Sequence, residues 1–223
     1  MRSSAIGARL GELQAPSARA DVWFACIGDH ANDVDGLARD LLSGDERDRL
    51  GRYRTRETAE RYVVTRSLVR MVLSEHLSIA PRDIRVSRTD SGKPVIAEGA
   101  HFNVTHSGDL VLLALSRERA VGIDVERRRE VPRVDALIER WLTPLEREEL
   151  LALMAGGDAL SDAFLRVWSL KEARLKALGV GISGAGNASL ESVDAMPLDD
   201  LLEALPDRKD RRAMDYVGAL AFA

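Results

Sequence analysis

A chain of 223 residues is long enough for one large domain or two small ones, either with a real core. The 45% hydrophobic and 30% charged residues are the proportions of a globular protein. A net charge of -4 and a pI near 5.7 lack the basic excess of a sequence-independent nucleic-acid binder. No apolar run approaches the ~20 residues that cross a bilayer, and Arg2, Arg9, Glu12 and Arg19 interrupt the start of the chain where a secretory signal needs an apolar stretch.

In chain order, residues 1–20 read as a loose tail. Asp21 to Ile27, rich in Val, Trp and Phe, predicts a buried strand. The single cysteine, Cys26, lies in its apolar run VWFACI and reads as a buried thiol of a cytoplasmic protein. A helical region follows from about Asp35 to Leu77. Ser43 with Glu46 reads as a capping box, and Val64, Leu68, Met71 and Val72 form the apolar stripe of a long helix. Eight arginines between Arg47 and Arg70 stand against Asp48, Glu57 and Glu60 only. They read either as a solvated face or as a cradle for phosphate, since arginine offers a planar fork of donors and keeps its charge.

From Ile84 the texture changes. Ile84 and Val86 alternate with polar neighbours, Asp90 to Lys93 is turn-like, and Phe102 and Val104 alternate again. Leu110 to Leu115 predicts a fully buried strand and Val121 to Val125 the next, with a hairpin between them as the simplest topology. Gly122 marks a place where another backbone or a ligand comes close. Beyond Pro132, Val134, Leu137, Ile138 and Trp141 predict one helix, and Thr143, Pro144 and Glu146 cap a second that ends near Gly156 and Gly157. A third starts near Ser161 and ends at Gly179 and Gly181, both expected to supply positive φ. Tyr216 to Phe222 reads as a closing strand. Strands and a long amphipathic helix in each half predict an α+β protein of two subdomains, 21–117 and 118–223, with no sequence repeat strong enough to relate them.

Two acidic motifs carry the chemistry. Glu172 and Lys176 stand four apart in WSLKEARLK and share one helical face, with Phe164, Trp168, Leu175 and Leu178 on another. Alone they read as an ordinary surface ion pair. Asp124 and Glu126 in AVGIDVERRR stand two apart on a strand, so both carboxylates leave the same side while Val121, Ile123 and Val125 occupy the other. Such carboxylates repel unless a cation meets them. Oxygen ligands of this kind suit Mg²⁺, although an exposed pair balanced by Arg127 to Arg129 is the alternative. FNVTHS brings Thr105 and His106 to a strand end, and GKP places Lys93 before Pro94 in a turn.

In this order and spacing, GKP, FNVTHS, VGIDVE and WSLKEARLK closely resemble the 4′-phosphopantetheinyl transferases of the larger, single-chain type. The resemblance runs from about Arg47 to Ile182. It implies two similar α+β subdomains with the active site in the cleft between them. The reaction it implies is transfer of the phosphopantetheine arm of coenzyme A to a serine of an acyl or peptidyl carrier protein, with release of 3′,5′-ADP. Carried over, it makes Asp124, Glu126 and Glu172 the ligands of Mg²⁺, or of Mn²⁺ as the alternative, Glu172 a candidate base, and Lys176 the residue at the pyrophosphate. Lys93, Pro94, Thr105 and His106 fall at the nucleotide end, with Thr105 where members usually have serine. Arg49, and less directly Arg56 and Arg61, match the basic residues that bind phosphate near the start of the long helix. Arg127 to Trp141 is the expected docking surface for an acidic carrier protein. A monomer without nucleic-acid or membrane partners is expected. Two rival readings use the same residues: a metal-dependent nucleotide-diphosphate hydrolase, which would release product without a carrier protein, and a non-catalytic carrier-protein-binding module, which would show no metal-dependent turnover.

Overall fold

The computed structural model describes residues 8–10, 20–97, 99–182, 190–203, 205 and 215–223, and divides the chain into two compact units, Met1–Val121 and Gly122–Ala223. In the first, a four-stranded sheet has the order β1 (Ala8–Leu10), β2 (Asp21–Cys26), β6 (Leu110–Ser116), β5 (His101–Ser107), each pair antiparallel. All seven residues of β6, LVLLALS, are buried, as a central strand covered on both faces requires. Against this sheet packs the helix α3 (Arg56–Leu77), whose Val64, Leu68 and Val72 join Phe102, Val111 and Leu113 in one core. Phe102 is among the largest fully buried side chains, a burial worth about 1.5–3 kcal/mol. Before α3 come α1 (Val34–Leu41) and α2 (Gly44–Leu50), the latter opened by the expected reciprocal Ser43–Glu46 capping box.

The second unit holds a three-stranded sheet, β7 (Val121–Arg127), β9 (Tyr216–Phe222) and β8 (Asp194–Pro197) in that order, with helices α4 (Val134–Trp141), α5 (Pro144–Ala155), α6 (Leu160–Leu178) and α7 (Asp199–Glu203). Thr143 and Glu146 form the expected capping box of α5, with Pro144 at its first position. The protein is thus a mixed α and β fold with antiparallel sheets.

Several expectations need correction. Ala8–Leu10, read as part of a loose tail, pairs antiparallel with β2; without it β2 would present an unpaired sheet edge. Residues 1–7 and 11–19 of that tail lie outside the described residues. No β6–β7 hairpin exists, because both edges of β6 are taken by β2 and β5 and β7 pairs with β9. In place of the strand expected from Ile84, a 3-10 turn, Pro81–Asp83, leads into irregular chain over 84–86, followed only by a two-residue pairing of β3 (Ser87–Arg88) with β4 (Pro94–Val95). The Arg70 guanidinium takes the carbonyls of Pro81 and Ile84, which a ladder would otherwise have used. At the end of α6, Gly179 has φ 72° while Gly181 is not in the positive-φ region, and Leu178 is 39% exposed rather than buried.

The two units repeat one helical design, which corrects the expectation that no sequence repeat relates them. Val34 to Leu50 and Val134 to Leu150 match in spacing, with Val, Asp, Leu, Leu, Ser or Thr, Glu, Arg and Leu at corresponding positions. In both, the arginine after the capping glutamate turns back onto the carbonyl closing the previous helix, Arg47 to Leu42 and Arg147 to Leu142. In both, the capping glutamate also grips a buried cation of the long helix, Glu46 with Arg70 and Glu146 with Lys171.

Candidate active site

The site candidates of the second unit meet across β7 and α6. Gly122 makes this possible: a Cβ there would lie 2.1 Å from the Ala173 carbonyl oxygen and 2.4 Å from the Ala177 nitrogen. The backbone approach foreseen at this glycine is thus that of α6. Two residues on, Asp124 leaves the same side of β7. It is 5% exposed, and Lys176 Nζ donates to its Oδ1 at 2.6 Å and to the Ile123 carbonyl at 3.3 Å. The Asp124 carboxyl is pushed up to about 6, by burial foremost and by the negative charges of Glu126 and Glu172, against the downward pull of Lys176. The three carboxylates therefore share one electrostatic neighbourhood. Val121, Ile123 and Val125 are all buried.

Glu126 is half-buried and paired with Arg129 at 2.8 Å, while Arg128 pairs with Asp162 at 3.3 Å. Arg127 is exposed, and the guanidinium of Arg140 lies 4.9 Å from the centroid of the Trp141 ring. Arg128 and Arg129 of the expected docking surface are thus engaged within the unit.

The donor set was tested against a divalent cation. Among the described residues no three His, Cys, Asp or Glu groups stand close enough to hold one as they are. The kind of donor fits: carboxylate oxygens suit a hard cation, and the charge of Glu126 and Glu172 reaches Asp124 strongly enough to oppose its ionisation. Lys176 and Arg129 supply the counter-charge in this arrangement.

The remaining candidates lie in the first unit. Thr105 and His106 are neighbours on β5, Thr105 buried and His106 exposed, so the alternation of the strand sends them to opposite faces. Lys93 donates to the Val121 carbonyl at 3.3 Å, and burial holds its ammonium pKa below the usual value. Pro94 opens β4. Arg49 and Arg66 stand over the Tyr62 ring, 5.7 and 5.8 Å from its centroid, and Tyr53 packs on Tyr62 at 5.0 Å. Asp45, Arg49, Arg52 and Tyr53 line a shallow groove. Arg56 pairs with Glu60 at 2.6 Å and is largely exposed, and Arg61 is half-buried in α3.

Reasoning from sequence missed the buried pair that Lys171 of WSLKEA forms with Glu146. Lys171 is 2% exposed and donates to both carboxylate oxygens of Glu146 at 3.1 and 2.9 Å, and Glu146 is 6% exposed. The signal was the match between Ser43 to Leu50 and Thr143 to Leu150, visible once Glu46 is known to bind a cation of its own long helix.

A family profile described as the 4′-phosphopantetheinyl transferase superfamily matches residues 120–213, and one described as 4′-phosphopantetheinyl transferase, N-terminal, matches residues 35–118. The chain is 32% identical over 203 residues to 4′-phosphopantetheinyl transferase HetI of Nostoc sp., covering 83% of this chain and 82% of that protein. It is 33% identical over 145 residues to 4′-phosphopantetheinyl transferase ffp of Bacillus subtilis, covering 64% of this chain and 62% of that one. It is 32% identical over 158 residues to the human L-aminoadipate-semialdehyde dehydrogenase-phosphopantetheinyl transferase, covering 66% of this chain and 51% of that one. The chain belongs to the 4′-phosphopantetheinyl transferase superfamily and is a transferase. No helix among the described residues is long and apolar enough to cross a membrane.

Proposed function

We propose that the protein transfers the 4′-phosphopantetheine arm of coenzyme A to a serine hydroxyl of an acyl or peptidyl carrier protein, with Mg²⁺ as cofactor and 3′,5′-ADP as the second product. The observation that supports this best is the contact of Lys176 with Asp124, which joins the two acidic motifs across 52 residues of chain. In the balanced step, the serine oxygen bonds to the β-phosphorus. The bond from that phosphorus to the bridging oxygen breaks, and the electron pair leaves with 3′,5′-ADP.

Asp124, Glu126 and Glu172 would hold the cation, which supplies positive charge to the pyrophosphate oxygens. Lys176 would neutralise the charge that develops on those oxygens as the bond breaks. Holding the reacting groups in line supplies much of the rate in phosphoryl chemistry. Glu172 would accept the serine proton, directly or through water. Lys93, Pro94, Thr105 and His106 would hold the nucleotide end, with His106 at the 3′-phosphate, and Arg49, Arg56 and Arg61 would add phosphate contacts. Arg127 to Trp141 would receive the acidic surface of the carrier protein.

The test is the intact mass of an apo carrier protein incubated with this protein, coenzyme A and Mg²⁺, with EDTA and Asp124→Ala in parallel. A metal-dependent gain of one phosphopantetheine, lost in Asp124→Ala, is expected. Release of a nucleotide product without any carrier protein, and no mass gain on several carriers, would overturn the reading in favour of a hydrolase.

A further inference from the structure

Lys171 and Glu146 form a buried ion pair that the proposed reaction does not use. Such a pair is poor evidence for stability as such, because apolar residues of similar size often serve as well. What it does supply is a fixed geometry. Glu146 is tied to the first turn of α5, since the Thr143 backbone N–H donates to its Oε2 at 2.8 Å and its own N–H donates to Thr143 Oγ1 at 3.3 Å. Lys171 gives hydrogen bonds to both oxygens of that anchored carboxylate.

The position of Lys171 on α6 gives this anchor its consequence. At about 100° per residue, Ala173 and Ala177 lie roughly 200° and 240° round from Lys171. They are the residues that meet β7 at Gly122. The helix is therefore gripped on two nearly opposite sides, by β7 and by the start of α5. Glu172 and Lys176 lie between, at roughly 100° and 140°. Their side chains project about 5–6 Å from the helix axis, so a rotation of ~20° would move them by about 2 Å. Mg²⁺ demands near-ideal octahedral geometry, and a functional constellation tolerates about 0.5 Å.

The first unit supplies a matched comparison. There Glu46 grips Arg70 in the same way, but Arg70 also binds the carbonyls of Pro81 and Ile84. One residue after Arg70 stands Met71, not a carboxylate. The pin recurs with Met71 in the place of Glu172 and Glu75 in the place of Lys176.

We propose that Glu146 and Lys171 are positioning residues for transfer: they fix the rotation of α6 that presents Glu172 and Lys176 toward Asp124. This rests on the metal reading of Asp124, Glu126 and Glu172. The test variant is Glu146→Gln with Lys171→Met, which keeps the cap and the volume but removes both charges. Glu146→Asp, which retracts the carboxylate by one methylene and leaves the ion pair charged, stands beside it in case the double variant folds poorly. Glu46→Gln with Arg70→Met is the control pair. Mn²⁺ binding by electron paramagnetic resonance is measured on each protein without substrates. Half-activating Mg²⁺, kcat and KM for coenzyme A are measured well below each melting temperature.

The expected result is a tenfold or greater weakening of metal binding and a matching rise in half-activating Mg²⁺ for the two variants at Glu146. KM for coenzyme A should change less than threefold. The control should lose thermal stability with metal binding within twofold of the parent. Metal binding within twofold of the parent in both Glu146 variants would overturn the proposal while leaving the metal assignment standing. A parent protein that binds no Mn²⁺ and turns over equally in EDTA would overturn the metal assignment, and this proposal with it.

Discussion

Gly122→Ala is the perturbation whose size the structure fixes best. The added Cβ would lie about 1.3 Å inside ordinary 3.4 Å contact with the Ala173 carbonyl oxygen and about 1.0 Å inside it with the Ala177 nitrogen. Both obstacles are helix backbone, so no side-chain rotation relieves them, and α6 must retreat from β7 by roughly 1 Å. That retreat opens the packing of Ala173 and Ala177, which are 0% and 2% exposed, and stretches the 2.6 Å contact of Lys176 with Asp124. Overpacking of this kind costs typically 1–3 kcal/mol, and two backbone clashes place it at about 3 kcal/mol. For a chain of this size that is a fall of about 6–12 °C in melting temperature. Calorimetry and urea unfolding of Gly122→Ala measure it, with Gly181→Ala as reference, since a Cβ there meets nothing within 4 Å. The reference should lie within about 1 kcal/mol of the parent. Equal unfolding midpoints for Gly122→Ala and the parent would refute the close approach of β7 and α6.

The capping boxes predict parallel losses: Thr143→Ala and Ser43→Ala should each lower unfolding free energy by about 1 kcal/mol in urea titrations, since each hydroxyl accepts from the third helical N–H. Burial holds His30 below its usual pKa of 6.5, against the opposing charges of Asp29, Asp33 and Asp109. The unfolded chain therefore takes up the proton first. His30 should contribute its full stability above the unfolded value of 6.5, and the difference from His30→Gln should shift against the parent as pH falls through that value toward the lower folded one. Urea midpoints of both proteins measured from pH 8 to 5 decide it; a pH-independent difference would count against the burial. Cys26, 2% exposed, should react with a thiol reagent only at the rate of opening, so that its modification accelerates by orders of magnitude in denaturing urea. Lys176→Ala should abolish transfer, read as carrier-protein mass, and should raise the Asp124 carboxyl above its present value of about 6, because Lys176 is the group that pulls it down.

What the sequence made legible was what short-range pattern determines. The two capping boxes and the apolar stripe of α3 each follow from residues within a few positions of one another, and Gly122 marked a close approach without naming its partner on α6. The sharing of one side of β7 by Asp124 and Glu126 is likewise a matter of period two. Strand partnership is not of this kind. Leu110–Ser116 and Val121–Arg127 are adjacent apolar runs, and adjacency favours a hairpin. The choice was made instead by β2, 84 or more residues upstream of β6, which takes one edge of β6 while β5 takes the other. The strand expected from Ile84 fails for a related reason, since the buried Arg70 side chain claims the Ile84 carbonyl that alternation had assigned to a ladder.

The buried cations show where pattern reading stops. Glu46 and Glu146 satisfied a local rule completely, each as the third helical residue closing a capping box, so nothing in their neighbourhood asked for a further partner. Yet one carboxylate has more acceptor capacity than a cap consumes, and its second use ties the start of one helix to the middle of the next. Only comparison of the two halves exposes this. Similar short stretches fold to the same corner, and in both the spare capacity is met by a cation at nearly the same depth, 3% exposed for Arg70 and 2% for Lys171. Beyond the cations the halves diverge, with Met71 where the second has Glu172 and Glu75 where the second has Lys176. A scaffold that already fixed helix rotation to hold a core was thereby suited to hold a carboxylate and a lysine in register with Asp124.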